Sequence, residues 1–542
     1  MTHNSPKSKT HRLLYIPIAL LFLLSFVDCA KKGRPTGGAL DTIPPVILKT
    51  SPENYSINFS ENEIRITFDE YIKLKDLQKN LLISPPMTYA PVITPLSTSK
   101  TLKIKLLDTL KENTTYSINF GKSIVDNNEE NAYDYYKYVF STGTYIDSLK
   151  LSGTVGDTKL PKTTEPITVM LYEITEAFKD SLIYTEKPTY ITTTKDSTDR
   201  FELTNLKEGN YLLLALQETN NDFKYQPQTD KIGFLESAVN LPTDSTFSLK
   251  IFKQAPTYKV GLAKHETKQH IVFDYEGDTP SLDIEVISEV PEEFRYQSFK
   301  DSEKGSLHFW FKPALEVDSL LFKINNASVV DTVQVRMRDL FIDSLKINPI
   351  NAGILKPRDT FFLKANTPLL TIDSEKIHLT DKDTLAVTFQ AEIQKQTNKI
   401  AVTFDRTEEQ TYTFKAWPGA FIDFFEGTND TLQYRIGTKL ISDYGEIAVQ
   451  LSNAKTFPII VELVDVSFKP VDQYYLKENK EVNFGFIDPG FYYIRIIYDT
   501  NENGKWDSGY FLTRSQPEKI LYYPSKIEVK PNWTLNETFI LE

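Results

Sequence analysis

Short apolar segments alternating at period two run almost the whole length of this 542-residue chain and constrain its fold more than any other feature. Ile64-Arg65-Ile66-Thr67-Phe68 and Leu102-Lys103-Ile104-Lys105-Leu106 each place every second residue on one apolar face, as a half-buried strand requires. Asn, Asp, Pro and Gly clusters separate such runs, and aromatic residues make up 12%, which suits pleated, half-buried surfaces. Helical periodicity is nearly absent, and only residues 72–82 are expected to form a short crossover helix. The expected class is therefore all-β, in a tandem array of sandwich-sized pieces. A chain of this length exceeds one core and implies about four or five domains. Cys29 is the only cysteine, so each sandwich must hold together by apolar burial or bound metal and not by disulfides.

Cys29 also ends the one long apolar run. Lys7, Lys9 and Arg12 precede the uncharged stretch Leu13 to Val27, which is short for a membrane span and reads as a secretory signal, residues 1–28. Ser25-Phe26-Val27-Asp28-Cys29 resembles the lipobox of bacterial lipoproteins, with Asp28 where a small residue is usual. The resemblance implies a covalent diacylglycerol and an N-acyl chain on Cys29, and an outer-membrane anchor. An ordinary signal peptide with an incidental thiol is the alternative. Residues 29–42 read as a flexible linker of roughly 20 Å average reach. Lys31, Lys32 and Arg34 make its start basic, whereas surface-exported lipoproteins of the Bacteroidota carry an acidic run there, which points to the periplasmic face. The net charge of −12 excludes a phosphate-tracking nucleic-acid partner.

Internal repetition divides the rest. Leu206-Lys207-Glu208-Gly209-Asn210-Tyr211, continuing through Glu218-Thr219-Asn220-Asn221-Asp222-Phe223-Lys224-Tyr225, aligns without a gap on Ile487-Asp488-Pro489-Gly490-Phe491-Tyr492, continuing through Asp499-Thr500-Asn501-Glu502-Asn503-Gly504-Lys505-Trp506. Pro166-Ile167-Thr168-Val169 likewise matches Pro458-Ile459-Ile460-Val461. A weaker pair sets Ile124-Val125-Asp126 against Phe421-Ile422-Asp423. The order is A (43–145), B (146–255), C (256–341), A′ (342–443) and B′ (444–542). In A, Pro44-Pro45-Val46, Phe68-Asp69-Glu70-Tyr71, Ile83-Ser84-Pro85-Pro86 and Phe140-Ser141-Thr142-Gly143 resemble the bacterial Ig-like domain of the SbsA type. The whole chain is similar to Bacteroidota lipoproteins carrying that domain, and B and B′ resemble prealbumin-like or carboxypeptidase-regulatory-like sandwiches. None of these resemblances implies catalysis.

Four constellations can carry chemistry. Asp499, Asn501, Asn503, the Lys505 carbonyl and Asp507, around Gly504, reproduce most of a calcium loop, with Tyr510 where the last glutamate belongs; an Asx-rich turn without an ion uses the same residues. In B, Phe223 and Gln226 replace the glycine and the final aspartate, so no metal is expected there. His265 and His270 are five apart, which puts two imidazoles about 140° apart on a helix and does not suit zinc; the segment reads as a polar hairpin, with His308 and His378 standing alone. Tyr133, Tyr135, Tyr136 and Tyr138 read as core on one face, with a docking or sugar-stacking face as the alternative. Asp followed by Ser or Thr and then an aliphatic residue or Thr recurs, which resembles an O-glycan acceptor motif of exported Bacteroidota proteins and implies sugars on Ser148, Ser181, Ser319, Ser344, Thr384 and Thr431; a turn entering a strand wants the same order. No Gly-x-Ser-x-Gly elbow, P-loop or Gly-x-Gly-x-x-Gly occurs. The expected function is a non-catalytic lipid-anchored β-sandwich scaffold of the outer membrane, partnered with envelope proteins such as β-barrels or other lipoproteins. A carbohydrate-binding or adhesive lipoprotein is the alternative.

Overall fold

The computed structural model describes residues 40–541 apart from 164, 195–197, 278, 280–281, 302–303 and 327–328. Cys29 and its signal lie outside these residues. The described chain is built almost wholly of strands, as the alternation demands. It forms two compact units.

The first unit carries the sheet Ile47–Ser51, Glu63–Leu74, Ser99–Lys105, Val92–Thr94, with Ile124–Asp126 also pairing on Glu63–Leu74. Ile64, Ile66, Phe68, Leu102 and Ile104 are all buried, so the period-two faces do point inward. The helix expected over 72–82 is not formed there: Ile72 to Leu74 continue the long strand and only Leu77–Asn80 makes a single helical turn. The reason is pairing, since Ile72, Lys73 and Leu74 find partners in Asp126, Val125 and Ile124. Tyr136 and Tyr138 are buried, and Tyr135 is exposed.

The second unit begins in earnest at Tyr145 and contains separate apolar cores in B, C, A′ and B′. B packs a sheet ordered Tyr190–Thr193, Thr168–Glu173, Gly209–Gln217, Lys231–Phe234 against Arg200–Leu206, Leu149–Asp157, Thr246–Ile251, the last pair being parallel. B′ repeats that arrangement strand for strand: Pro470–Leu476, Ile459–Val464, Gly490–Tyr498, Ile520–Tyr522 against Val482–Ile487, Gly445–Ser452, Thr534–Ile540, again with the last pair parallel. Two tyrosines explain the shared Gly-x-Tyr. Tyr211 donates its hydroxyl to the Lys207 carbonyl at 3.1 Å, and Tyr492 donates to the Asp488 carbonyl at 2.8 Å. Each ring folds back over its glycine, where a Cβ would sit 3.4 Å from Tyr211 and 3.6 Å from Tyr492. This local clasp is of the tyrosine-corner kind and fixes how the chain enters the central strand.

A and A′ share a different clasp. Asp126 accepts backbone N–H groups from Asn128 (2.8 Å), Glu129 (2.7 Å), Glu130 (3.2 Å) and Asn131 (2.7 Å). Asp423 accepts from Phe425 (2.9 Å), Gly427 (2.7 Å) and the Thr367 hydroxyl (2.8 Å). Burial alone would raise the Asp126 pKa, but the ring of backbone donors outweighs it and holds the carboxyl below its ordinary value. A depressed folded-state pKa stabilises the native state above the unfolded value near 4, and that stabilisation is lost as pH falls through the folded value. Asp126→Ala should therefore cost about 1–2 kcal/mol in urea unfolding at neutral pH, and the difference from wild type should vanish once acid has protonated the carboxyl.

Candidate functional site

B and B′ lie far apart in sequence yet join through one loop. Residues 507–518 leave the central strand of B′ and enter B, where Phe511 is fully enclosed. Its ring meets Phe234 edge-on at 5.3 Å, and its N–H donates to Gln254 Oε1 at 3.0 Å. Ala255 N–H donates to Ser508 Oγ at 2.8 Å, and Gln516 Nε2 donates to the Phe234 carbonyl at 3.0 Å. The Arg514 guanidinium lies 4.2 Å from the Phe511 ring centre and pairs with Asp180, and the Tyr522 hydroxyl donates to the Lys159 carbonyl. Gly509 is needed at the seam, because a Cβ there would fall 2.7 Å from Phe252 Cζ and 2.4 Å from the Ser515 carbonyl oxygen.

The loop proposed from sequence to take calcium stands at the base of this connection. Asp499 is buried and accepts the N–H groups of Asn503 (3.1 Å) and Gly504 (2.7 Å). Asp507 Oδ2 takes the side-chain amides of Asn501 (2.8 Å) and Asn503 (2.5 Å). Glu518, which nothing in the motif indicated, reaches in from outside: it accepts from Thr500 N–H at 2.6 Å, the Thr500 hydroxyl at 2.9 Å and Asp507 N–H at 3.0 Å. Trp506 is fixed by its indole N–H on the Glu518 carbonyl at 3.0 Å. The B copy folds the same way with different chemistry. Phe223 N–H bonds Glu218 as Gly504 bonds Asp499, and the amide–carboxylate pair reverses, Gln226 Nε2 donating to Asp222 at 2.9 Å. Phe223 accepts a left-handed φ of 60° to do so, close to the 78° of Gly504. The loop shape thus forms without the calcium-type residues. In B, burial lifts the Glu218 carboxyl to about 7.

The other sequence candidates fall as follows. His265 and His270 flank the tight turn of an antiparallel hairpin, Lys259–Thr267 with His270–Glu276, as expected for a polar hairpin. His308 does not stand alone. On the neighbouring strand Trp310 lies opposite His270 and His308 diagonal to it, with His270 Nε2 2.9 Å from His308 Nδ1 and the His270 ring stacked 3.6 Å from Trp310. Strand pairing across 38 residues created that contact, and no spacing rule signals it. Trp310 in turn meets Phe425 of A′ at 6.0 Å, and Lys364 of A′ pairs with Asp301 of C at 3.0 Å, so C and A′ share a second buried aromatic seam. Among the described residues, no three His, Cys, Asp or Glu side chains gather as a metal-ligand group. Ser148, Ser181, Ser344, Thr384 and Thr431 are exposed, and Ser319 is half-buried, accepting from Gln334 Nε2 at 2.9 Å.

Residues 41–142 match the family model of a bacterial Ig-like domain, so segment A is one. No curated protein matches the chain. Among solved structures it is similar to surface layer protein SbsC, domains 1–6, at 12% identity over 90% of this chain and 67% of that one, TM-score 0.16. It is similar to the Bacillus anthracis TIE protein at 11% identity over 99% and 80%, TM-score 0.14. It is also similar to BcpA, the major pilin subunit of Bacillus cereus, at 12% over 72% and 99%, TM-score 0.14. At such scores these likenesses carry no argument.

Two outcomes follow from this geometry. Phe511→Ala should lower stability by about 3–5 kcal/mol, read by urea unfolding, and should speed protease cleavage near residues 253–258. His270 is the pH-sensitive element: burial, with His308 beside it, pulls its pKa from 6.5 to about 3. Between those values the unfolded chain binds the proton and the folded chain does not, so stability is complete above pH 6.5 and falls as pH drops towards 3. The loss should be a few kcal/mol, because each tenfold difference in proton affinity is worth about 1.4 kcal/mol. His270→Gln should flatten this limb of a melting-temperature profile.

Proposed function

We propose that this chain is a non-catalytic, lipid-anchored scaffold of the outer membrane, facing the periplasm as a subunit of an envelope complex for outer-membrane protein assembly, secretion or uptake. The observation that supports it is the pair of buried seams, Phe234 with Phe511 and Trp310 with Phe425. A scaffold has to hold separate surfaces in fixed relation, and enclosed aromatic seams between sandwiches do that where flexible linkers cannot. Acylation of Cys29 would supply the anchor. The adhesive reading keeps some support from Trp417 and Trp533, which are 42% and 55% exposed, and from Tyr135.

Protein purified through a C-terminal tag from native membranes in mild detergent should carry an outer-membrane β-barrel or other lipoproteins in fixed ratio. A solitary protein whose ectodomain binds glycan instead would overturn the scaffold reading in favour of adhesion. Calcium and sugars belong to the same proposal as additions to this scaffold. For calcium, both Asn501 and Asn503 would turn their amide oxygens inward, so calorimetric titration should show binding that Asp499→Ala abolishes. No heat at about 1 mM calcium would contradict the ion. Intact mass of native protein equal to polypeptide plus lipid would remove the sugars.

A further inference from the structure

The two sandwiches that repeat each other differ in charge at a buried pair of positions. In B, Met170 faces Leu214 across the Thr168–Glu173 and Gly209–Gln217 strands, and both are fully buried. In B′ the same register places Glu462 against Arg495. Both are buried, at 6% exposure each, and Arg495 Nε donates to Glu462 Oε2 at 2.5 Å. The fold plainly tolerates an apolar pair here, and burying an ion pair in its place adds little or nothing to stability. The charges have another use.

They extend a row across the sheet: Gln473 pairs with Glu462, Glu462 with Arg495, and Arg495 with Tyr522. Above this row, between B′ and B, opens a cleft of about 540 Å³ lined by Lys159, Ile460, Phe468, Lys469, Ile497 and Ile520, among others. That volume falls in the range of small-molecule sites. Arg495 spends Nε on Glu462 and Nη1 on the Tyr522 hydroxyl at 3.2 Å, and among the described residues Nη2 has no protein partner. Lys159 brings a second cation, its ammonium 3.8 Å from the Trp506 ring centre. Both nearby carboxylates are already engaged: Glu462 by Arg495, and Asp157 by Lys231 at 2.5 Å and by the N–H groups of Lys159 and Leu160. Among the described residues Lys159 has no ion-pair partner, and desolvation, then repulsion from Arg495, pulls its pKa below the ordinary lysine value. Lys469 and Lys505 also line the cleft and add positive charge.

We propose that this cleft binds an aliphatic carboxylate, its oxygens on Arg495 Nη2 and the Lys159 ammonium and its carbon chain against Ile460, Ile497 and Ile520. Glu462 is the positioning residue that fixes the guanidinium plane, and Trp506 holds the lysine in place. A peptide C-terminus and a short fatty acid share this chemistry. Ile460, Ile497 and Ile520 form an aliphatic patch beside the charges, which suits an aliphatic chain better than the ring of a sugar acid.

The test titrates the purified protein by calorimetry with N-acetyl-Leu-Leu, its C-terminal amide, octanoate and glucuronate. Saturable binding of the acid, at least tenfold tighter than its amide, is expected, with octanoate telling the two sources apart. Preference for N-acetyl-Leu-Leu assigns a peptide terminus, and preference for octanoate a fatty acid. The Glu462→Met, Arg495→Leu double variant copies the pair found in B, so it should unfold as wild type does while losing binding tenfold or more. Lys159→Gln, at an exposed position, should weaken binding without altering the melting temperature. Equal affinity for acid and amide, binding unchanged in the double variant, tighter binding of glucuronate, or no heat from either aliphatic acid up to about 10 mM would each overturn the assignment. These outcomes are independent of which proteins accompany the chain from the membrane.

Discussion

The enclosure of Phe511 in segment B is the contact on which the second unit depends. It joins two sandwiches whose bonded residues lie as far apart as Tyr522 and Lys159, 363 positions along the chain. With that seam in place, C and A′ form the excursion between two joined ends, and their own seam at Trp310 and Phe425 closes within it. The sandwiches of this unit are therefore not independent beads in a row. Loss of the Phe511 ring would loosen B′ on B and disturb the cleft, because Lys159 comes from one sandwich and Arg495 from the other.

Duplication explains the architecture and exposes what is special about each copy. Clasps needed to fold the sandwich are kept in both, as with Tyr211 and Tyr492 or with the loop bonds of Glu218 and Asp499. Positions that the fold leaves open have diverged: Met170 and Leu214 against Glu462 and Arg495. A buried charge pair in only one of two equivalent sheets points to use, because the sister sheet buries the apolar pair Met170 and Leu214 at the same positions.

Much of the fold is legible because strands write a local period. The buried faces of Ile64 to Phe68 and Leu102 to Ile104 follow from alternation alone, and the Gly-x-Tyr and Asx patterns mark the repeats. Local pattern misreads residues 72–82 as helix because strand pairing with Ile124 to Asp126 is a long-range constraint that it does not carry. The same limit hides the site. Glu462 looks like one polar residue in an apolar strand, and only sheet register brings it to Arg495 and Tyr522. Setting the two copies side by side at Met170 and Leu214 is the signal that could have found it. Glu518 and the His270–His308 pair are likewise products of pairing between distant strands and loops.

The claim that B and B′ form one body can be measured directly by pulsed electron spin resonance between labels at the exposed positions Ser237 and Ser525, with Cys29 replaced by serine. The account predicts a single narrow distance distribution that Phe511→Ala broadens. A broad distribution in the otherwise unaltered protein, unchanged by that substitution, would contradict it.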